Sequence, residues 1–488
     1  MKRFVLSLSF ALLVSAEGWS LYQPSSIQRT LYISSSEGND NNPGTRDLPR
    51  KTLASLSQQE RQNSRVLLKC GDVFTERIVS LTGCEVSSYG RGLKPIVTGF
   101  FRLQNVAAWE QIATNIWRLD LSKRQNFTGF DYSKSTGIQN LGNIGLIYHL
   151  DTDRVFGNLV SSISLLQKDG DFFTTATSRR DEVTAETFRY LYFRWPVHPA
   201  SLGNLCFSSG TYGCVLCKDC YIHDIAIIGF GLNGIQVLSG TTIADCNLDL
   251  IGGSILLDYP RGWMRFGNGI EVNVSRQKLR DISVHDNLIS RTYDTATTIQ
   301  GQPSEDTSPE NIVFEDNTIV HCRQAFEWYI NPRSPDITPQ YTRCYFRNNL
   351  LLENGYNQFG IPSRPNDCQL LSYDQRQPTM SITGNIIYGG NYLCAHKPNA
   401  GIRDNKIYLF SDHFINHYVS ANYSPIHATS VAQVDAYRRR MKDTSDLQII
   451  EAESKTARRF RKQIRRLVAR QAALSQHAGR GVGGGYRR

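Results

Sequence analysis

A short pattern of apolar and polar positions recurs through the middle of the chain. Ile282, Val284, Asn287 and Ile289 form one copy, and Ile312, Phe314, Asn317 and Ile319 form the next. It returns as Cys344, Phe346, Asn349, Leu351, as Met380, Ile382, Asn385, Ile387, and as Ala400, Ile402, Asn405, Ile407. Val215, Cys217, Cys220, Ile222 and Thr241, Ile243, Cys246, Leu248 read as two earlier copies with cysteine at the marker position. The markers lie 26, 41, 30, 32, 36 and 20 residues apart. Apolar residues two apart predict short strands with one buried face. The marker asparagine predicts a turn, since Asn tolerates left-handed backbone and bonds its own main chain. Such a unit cannot bury its apolar face alone, so the repeats predict stacked coils, an all-β solenoid.

Upstream, Leu31–Ser34, Val66–Lys69, Ile78–Leu81 and Ile96–Thr98 read as strands, and Thr52–Gln59 as a short helix that caps the open solenoid end. Residues 101–214 lack the marker and are dense in aromatics, among them Trp109, Trp117, Phe130, Phe172, Tyr192 and Trp195. Strands are predicted at Ile116–Leu121, Gly145–Leu150 and Tyr190–Trp195, and a short helix at Ile163–Lys168. This reads as an inserted antiparallel β lobe with an aromatic core. Coils fill 215–428. Ser430 and Gln433 form a capping box, and Phe460, Ile464, Leu467, Val468 and Ala472 trace a second amphipathic helix, so helices are expected over 429–475. The Gly-rich, basic residues 476–488 read as a disordered tail.

The repeats, with the opening Tyr32-Ile-Ser-Ser-Ser-Glu-Gly-Asn-Asp-Asn-Asn-Pro-Gly-Thr, then Pro49 and Thr52-Leu-Ala-Ser-Leu, resemble the right-handed parallel β-helix superfamily of pectate-lyase-like, secreted, carbohydrate-active proteins. The resemblance covers most of residues 31–410. It implies a right-handed parallel β-helix with an N-terminal helical cap, and a polysaccharide as substrate. It assigns no reaction.

Lys2, Arg3, the apolar run Phe4–Val14 and Val14-Ser15-Ala16 predict a secretory signal peptide over 1–16, hence a secreted or extracytoplasmic protein. In that compartment the 11 cysteines suggest disulfides, with Cys70–Cys84 and Cys220–Cys246 as candidate pairs, the latter if both occupy adjacent marker sites. Cys214, Cys217 and Cys220 with His223 form the one sequence pattern suited to a metal, but the strand pattern already accounts for two of the cysteines. No metal site is therefore assigned. The net charge of +10 is local: residues 431–488 hold 15 Lys/Arg against 5 Asp/Glu, leaving 39 of each sign in 1–430. A neutral body weakens the case for an acidic polysaccharide as substrate, no nucleic-acid partner is expected, and the basic tail suggests contact with an acidic surface or membrane. A monomer is expected.

The candidate chemistry is a ladder of polar residues. Ten residues after successive markers stand Thr297, Glu327 and Phe359, and in the coil before, Gly269-Ile-Glu-Val-Asn places Glu271 outward. Carboxylates two rungs apart suit an inverting glycosidase, and Asp294 in the turn between them raises one by like-charge repulsion. Glu271, Asp294 and Glu327 are the candidate catalytic residues. Arg265, Tyr293, Gln300, Trp328, Tyr329 and Arg364 are the candidate substrate-binding residues. The leading expectation is hydrolysis of a polysaccharide without a cofactor. One alternative is a lyase acting by β-elimination on a uronate polymer, with calcium and a base among Arg265, Arg291, Tyr293, His321 and Arg364. The other is a non-catalytic glycan-binding surface protein.

Overall fold

The computed structural model describes residues 27–482 apart from 133–141, 185, 260–261, 357, 362–366, 374–379, 391–392, 396–400, 411–414, 419–424, 429–431, 434, 437–438 and 440–443. The leader expected at 1–16, Arg364, Ser430 of the capping box and the terminal 483–488 lie outside those residues.

Three parallel sheets of ten, ten and eight strands form a parallel β-helix. One coil shows the plan. Arg280–His285 belongs to the first sheet, Leu288–Ser290 to the second and Thr295–Gly301 to the third. The next coil repeats this with Glu310–Glu315, Thr318–Val320 and Gln324–Ile330, in register Val284↔Phe314, Ile289↔Ile319 and Ile299↔Trp328. Each of these residues is buried, so the alternation read from the sequence is the ladder of the core.

The marker asparagines act differently from the turn expected of them. The left-handed residue is the one before the marker: Asp286, Asp316, Asn348, Gly384 and Asp404. Asn287, Asn317, Asn349, Asn385 and Asn405 are buried and bond to one another. The Asn317 Oδ1 accepts from the Asn287 backbone N–H (3.1 Å) and Nδ2 (2.9 Å), while the Asn317 Nδ2 donates to the Val284 carbonyl (2.9 Å) and to the Asn349 Oδ1 (3.0 Å). The ladder ends on the Ser445 Oγ, which accepts from the Asn405 N–H (3.1 Å). Beyond it, Asp446–Ile450 pairs in parallel with Lys406–Phe410, so the solenoid reaches past the expected limit at 428.

The first repeat is out of phase with the expected copy. Cys214–Cys217 is a strand of the third sheet, and Ile225, one position before the Ala226↔Asn247 pair, occupies the place that Cys246 holds in the next coil. Cys220 stands at another corner, where Tyr221 pairs with Glu85 and brings Cys220 beside Cys84. Cys220 and Cys246 therefore cannot bridge, and Cys70 and Cys84 stand at opposite ends of first-sheet strands. All ten described cysteine side chains are free thiols. Cys214 Sγ lies 3.6 Å from Cys217 Sγ, while His223 turns to Ser87 and Glu85.

The lobe is antiparallel, with sheets of five and four strands. Trp109, Trp117, Phe130, Phe172 and Phe193 are buried in it. The helices expected at Thr52–Gln59 and Ile163–Lys168 are single 3₁₀ turns, Leu53–Ser55 and Ile163–Leu165.

One long helix, Lys455–Gly481, is capped by the Ser454 hydroxyl, which accepts from the Ala457 N–H. It lies along the second sheet rather than over the solenoid's end. Phe460 stacks on Tyr388 at 4.3 Å, and the Gln471 Nε2 donates to the Leu248 (3.0 Å) and Leu288 (3.3 Å) carbonyls. The expected disorder from 476 is corrected over 476–481, which are helical. Gly479 permits this contact, since a Cβ there would stand 2.1 Å from the Leu150 side chain.

Candidate active site

The third sheet carries the candidate chemistry on its outward face. Parallel pairing sets Gln236, Glu271, Thr298, Glu327 and Leu371 on successive rungs. Two residues further along, Asn273, Gln300 and Tyr329 form a second row. Thr297, expected in the ladder, faces inward instead: it pairs with Ile270 and Phe326, and its hydroxyl donates to the Ala325 carbonyl. The displacement has a simple cause. Ser290 pairs with Val320 and Thr295 with Gln324, so the corner of the middle coil is one residue longer than that of the next. Asp294 lies in that longer corner.

Glu271 and Glu327 are two rungs apart, about 9–10 Å at the backbone. Outward-facing residues of a solenoid are ordinarily solvated, yet Glu271 is only 3% exposed and Glu327 5%. The two carboxyls are held in different ways. The Glu271 Oε2 accepts from the Asn233 Nδ2 (2.7 Å) and the Gln236 Nε2 (2.8 Å). Its Oε1 accepts from the Gln300 Nε2 (2.6 Å), the Asn273 Nδ2 (3.3 Å) and, more distantly, the Asn268 Nδ2 (3.5 Å). Burial raises its pKa above the usual carboxylate range, and the amides of Gln236, Asn273, Gln300 and Asn268 oppose the rise. No hydrogen bond reaches the Glu327 carboxyl among the described residues. Burial, followed by the charge of Asp294, pushes its pKa well above the ordinary range; Arg323 opposes this and Glu271 adds to it. Arg323 is itself committed to Asp367 in a buried ion pair.

Two tyrosines border the carboxyls. Burial and then Glu327, Glu271 and Asp294 raise the Tyr329 hydroxyl far above its ordinary pKa, and burial with Glu271 pushes Tyr212 up to about 12. The Tyr329 ring stands 6.0 Å from that of Tyr373, edge to face. Asn273, Gln300 and Tyr329 are half-buried, so the site opens along this second row.

The structure thus brings together Glu271, Asp294, Glu327, Gln300 and Tyr329. The other candidates stand elsewhere. Trp328 is a core residue, fully buried and stacked on Phe326 at 5.5 Å. Arg265 clamps the lobe to the solenoid: its guanidinium donates to the carbonyls of Gly253 (2.5 Å), Gly157 (2.7 Å) and Gly145 (2.8 Å) and lies 4.4 Å over the Tyr293 ring. Tyr293 is buried between that cation and Phe359. Arg291 pairs with Asp249 and Asp153, and His321 bonds Glu353, at the second-sheet end of the corner whose other end holds Asp294. That corner borders an open groove of about 740 Å³, which shares no residue with the carboxyl ladder.

Sequence reasoning missed Gln236, Asn233, Asn268, Thr298 and Arg323. A signal for the first three was present. Asn233-Gly-Ile-Gln-Val and Asn268-Gly-Ile-Glu-Val repeat the same five-residue pattern, placing an amide at the corner and a polar residue outward on adjacent rungs. Arg323 offered none, because its partner Asp367 lies 44 residues away.

No protein-family model matches this chain, and no curated protein matches it. Among solved structures it is similar to XylC in complex with xylose, at 10% identity over 86% of this chain and 82% of that one, with a TM-score of 0.43. It is also similar to the native GH136 lacto-N-biosidase from Eubacterium ramulus, at 10% identity over 86% of this chain and 68% of that one, with a TM-score of 0.34. Likeness of this degree carries nothing about activity to this chain.

Proposed function

We propose that this protein is a glycoside hydrolase whose general acid is Glu327. One observation carries the reading: two buried carboxyls share one face of the third sheet two rungs apart, with only the small Thr298 between them. On this reading a glycosidic bond and a water lie over Thr298 between acid and base, and the two-rung spacing, about 9–10 Å at the backbone, suits inversion. Glu327, kept protonated by burial and by Asp294, donates its proton to the leaving oxygen. Glu271, steadied by five carboxamides and made more basic by burial, takes the proton of the attacking water. Asp294 acts through Glu327 by holding up its pKa. Gln300, Asn273 and Tyr329 line the open edge with groups that bond sugar hydroxyls. A polysaccharide substrate and passage through the secretory route by the 1–16 leader belong to the same proposal.

The test is incubation of the purified chain with a panel of neutral and uronate polysaccharides. New reducing ends without near-ultraviolet absorbance support hydrolysis. Unsaturated products would assign the site to β-elimination, and binding without cleavage would make it a glycan-binding face.

A further inference from the structure

The helix Lys455–Gly481 carries nine Lys and Arg and no Asp or Glu. Arg458, Arg459, Lys462, Arg465, Arg466 and Arg470 are all exposed, and none of the six forms an ion pair among the described residues. They fall within about 140° of arc and span about 18 Å along the axis. Arg458/Lys462, Lys462/Arg466 and Arg466/Arg470 are like-charged pairs one turn apart, which repel and weaken a helix left to itself. The opposite face is fixed: Ile464, Gln471, Leu474 and Ser475 are buried against the solenoid, and the Ser475 hydroxyl donates to Asp249. The helix cannot roll, so the six cations form a rigid stripe on an otherwise charge-balanced body.

We propose that this stripe is a docking rail for a linear acidic polysaccharide, one bearing carboxylate or sulfate along its length. Charge complementarity selects a polyanion. The fixed helix decides which kind. A membrane-binding helix inserts an apolar face, and here that face is already spent on the second sheet. Single-stranded nucleic acid is held by stacking on aromatic side chains, and of the two rings of the helix Phe460 is stacked against Tyr388 and His477 is bonded to the Gly71 carbonyl, away from the stripe. A sugar polymer needs neither. Arg458, Lys462, Arg466 and Arg470 offer it a cation about every 6 Å along the axis. On the reading that the carboxyl site is a glycoside hydrolase, the rail would hold a linear polymer beside it and raise the local concentration of substrate.

The experiment measures binding of the full chain to polygalacturonate, with dextran as the neutral control, at low and moderate salt. The expected result is salt-sensitive binding to polygalacturonate and none to dextran. Joint replacement Arg458→Gln, Lys462→Gln, Arg465→Gln, Arg466→Gln and Arg470→Gln should weaken it at least about tenfold and flatten its salt dependence. These side chains face solvent, so the thermal midpoint should hold; replacing the four arginines by lysine should preserve binding and shows that charge is what is read. Undiminished binding by the five-glutamine variant would overturn the proposal. So would binding to duplex DNA or to phosphatidylserine vesicles that exceeds binding to polygalacturonate. A Glu327→Gln chain should bind as the unaltered one does, which separates this proposal from the catalytic one.

Discussion

Replacing Asn317 by alanine tests the ladder that holds the coils in register. The side chain is buried and makes four hydrogen bonds: two accepted from Asn287, one donated to the Val284 carbonyl and one to Asn349. Each is worth about 1 kcal/mol net, and alanine also leaves Asn287 and the Val284 carbonyl with buried, unmet groups, so the loss should be about 3–5 kcal/mol. Asn287→Ala removes one of the same bonds, that from its Nδ2, and keeps the backbone N–H that donates to Asn317. The double variant should therefore lose less than the sum of the single losses, with a shortfall of about 1–2 kcal/mol. Equilibrium urea unfolding followed by circular dichroism reads both quantities. A single-variant loss below about 1 kcal/mol, or strict additivity, would refute the account of the ladder as a buried, mutually satisfied network.

Other outcomes follow from the site and the thiols. Glu327 has a folded-state pKa above its unfolded value, so it binds its proton more tightly when folded and its contribution to stability declines as pH rises through the folded value. Glu327→Gln should thus gain stability over the unaltered chain as pH climbs from about 4.5 toward 8, measured by thermal melting; a constant difference across that range would count against the raised pKa. Asp294→Asn removes the charge that helps hold Glu327 protonated, so the alkaline limb of the activity profile should move to lower pH, and an unmoved limb would dismiss Asp294 from that role. Denatured without reductant, the chain should take up alkylating reagent at ten cysteines at least, counted by mass spectrometry, because every described thiol is free.

The solenoid was legible because its core obeys a local rule: alternation within each strand and a recurring marker. The copies from Asn287 to Asn405 needed nothing beyond sequence neighbours. The first copy misled because Cys214–Cys217 and the turn after it imitate the pattern of another sheet, and only strand pairing tells the two corners apart. The carboxyl ladder was read with Glu271 and Glu327 correctly outward, yet Thr297 took the place of Thr298 because one extra residue in the corner at Asp294 shifts the count. Burial of the carboxyls was not legible at all. It comes with side chains brought in from other coils, such as Asn233 on Glu271, 38 residues distant. Greater separation hid the true work of Arg265, which bonds Gly145 120 residues away, and the docked helix shows that a Gly-rich basic segment folds when a close approach needs its glycine.

The central claim is that Glu327 delivers a proton to a glycosidic oxygen. Its most direct measurement compares Glu327→Gln with the unaltered enzyme on a natural glycan and on an aryl glycoside whose leaving group departs without protonation. The account predicts a loss of about 10²–10⁴-fold in kcat on the glycan and little loss on the aryl glycoside. Equal losses on both, or full activity of the variant on the glycan, would contradict it.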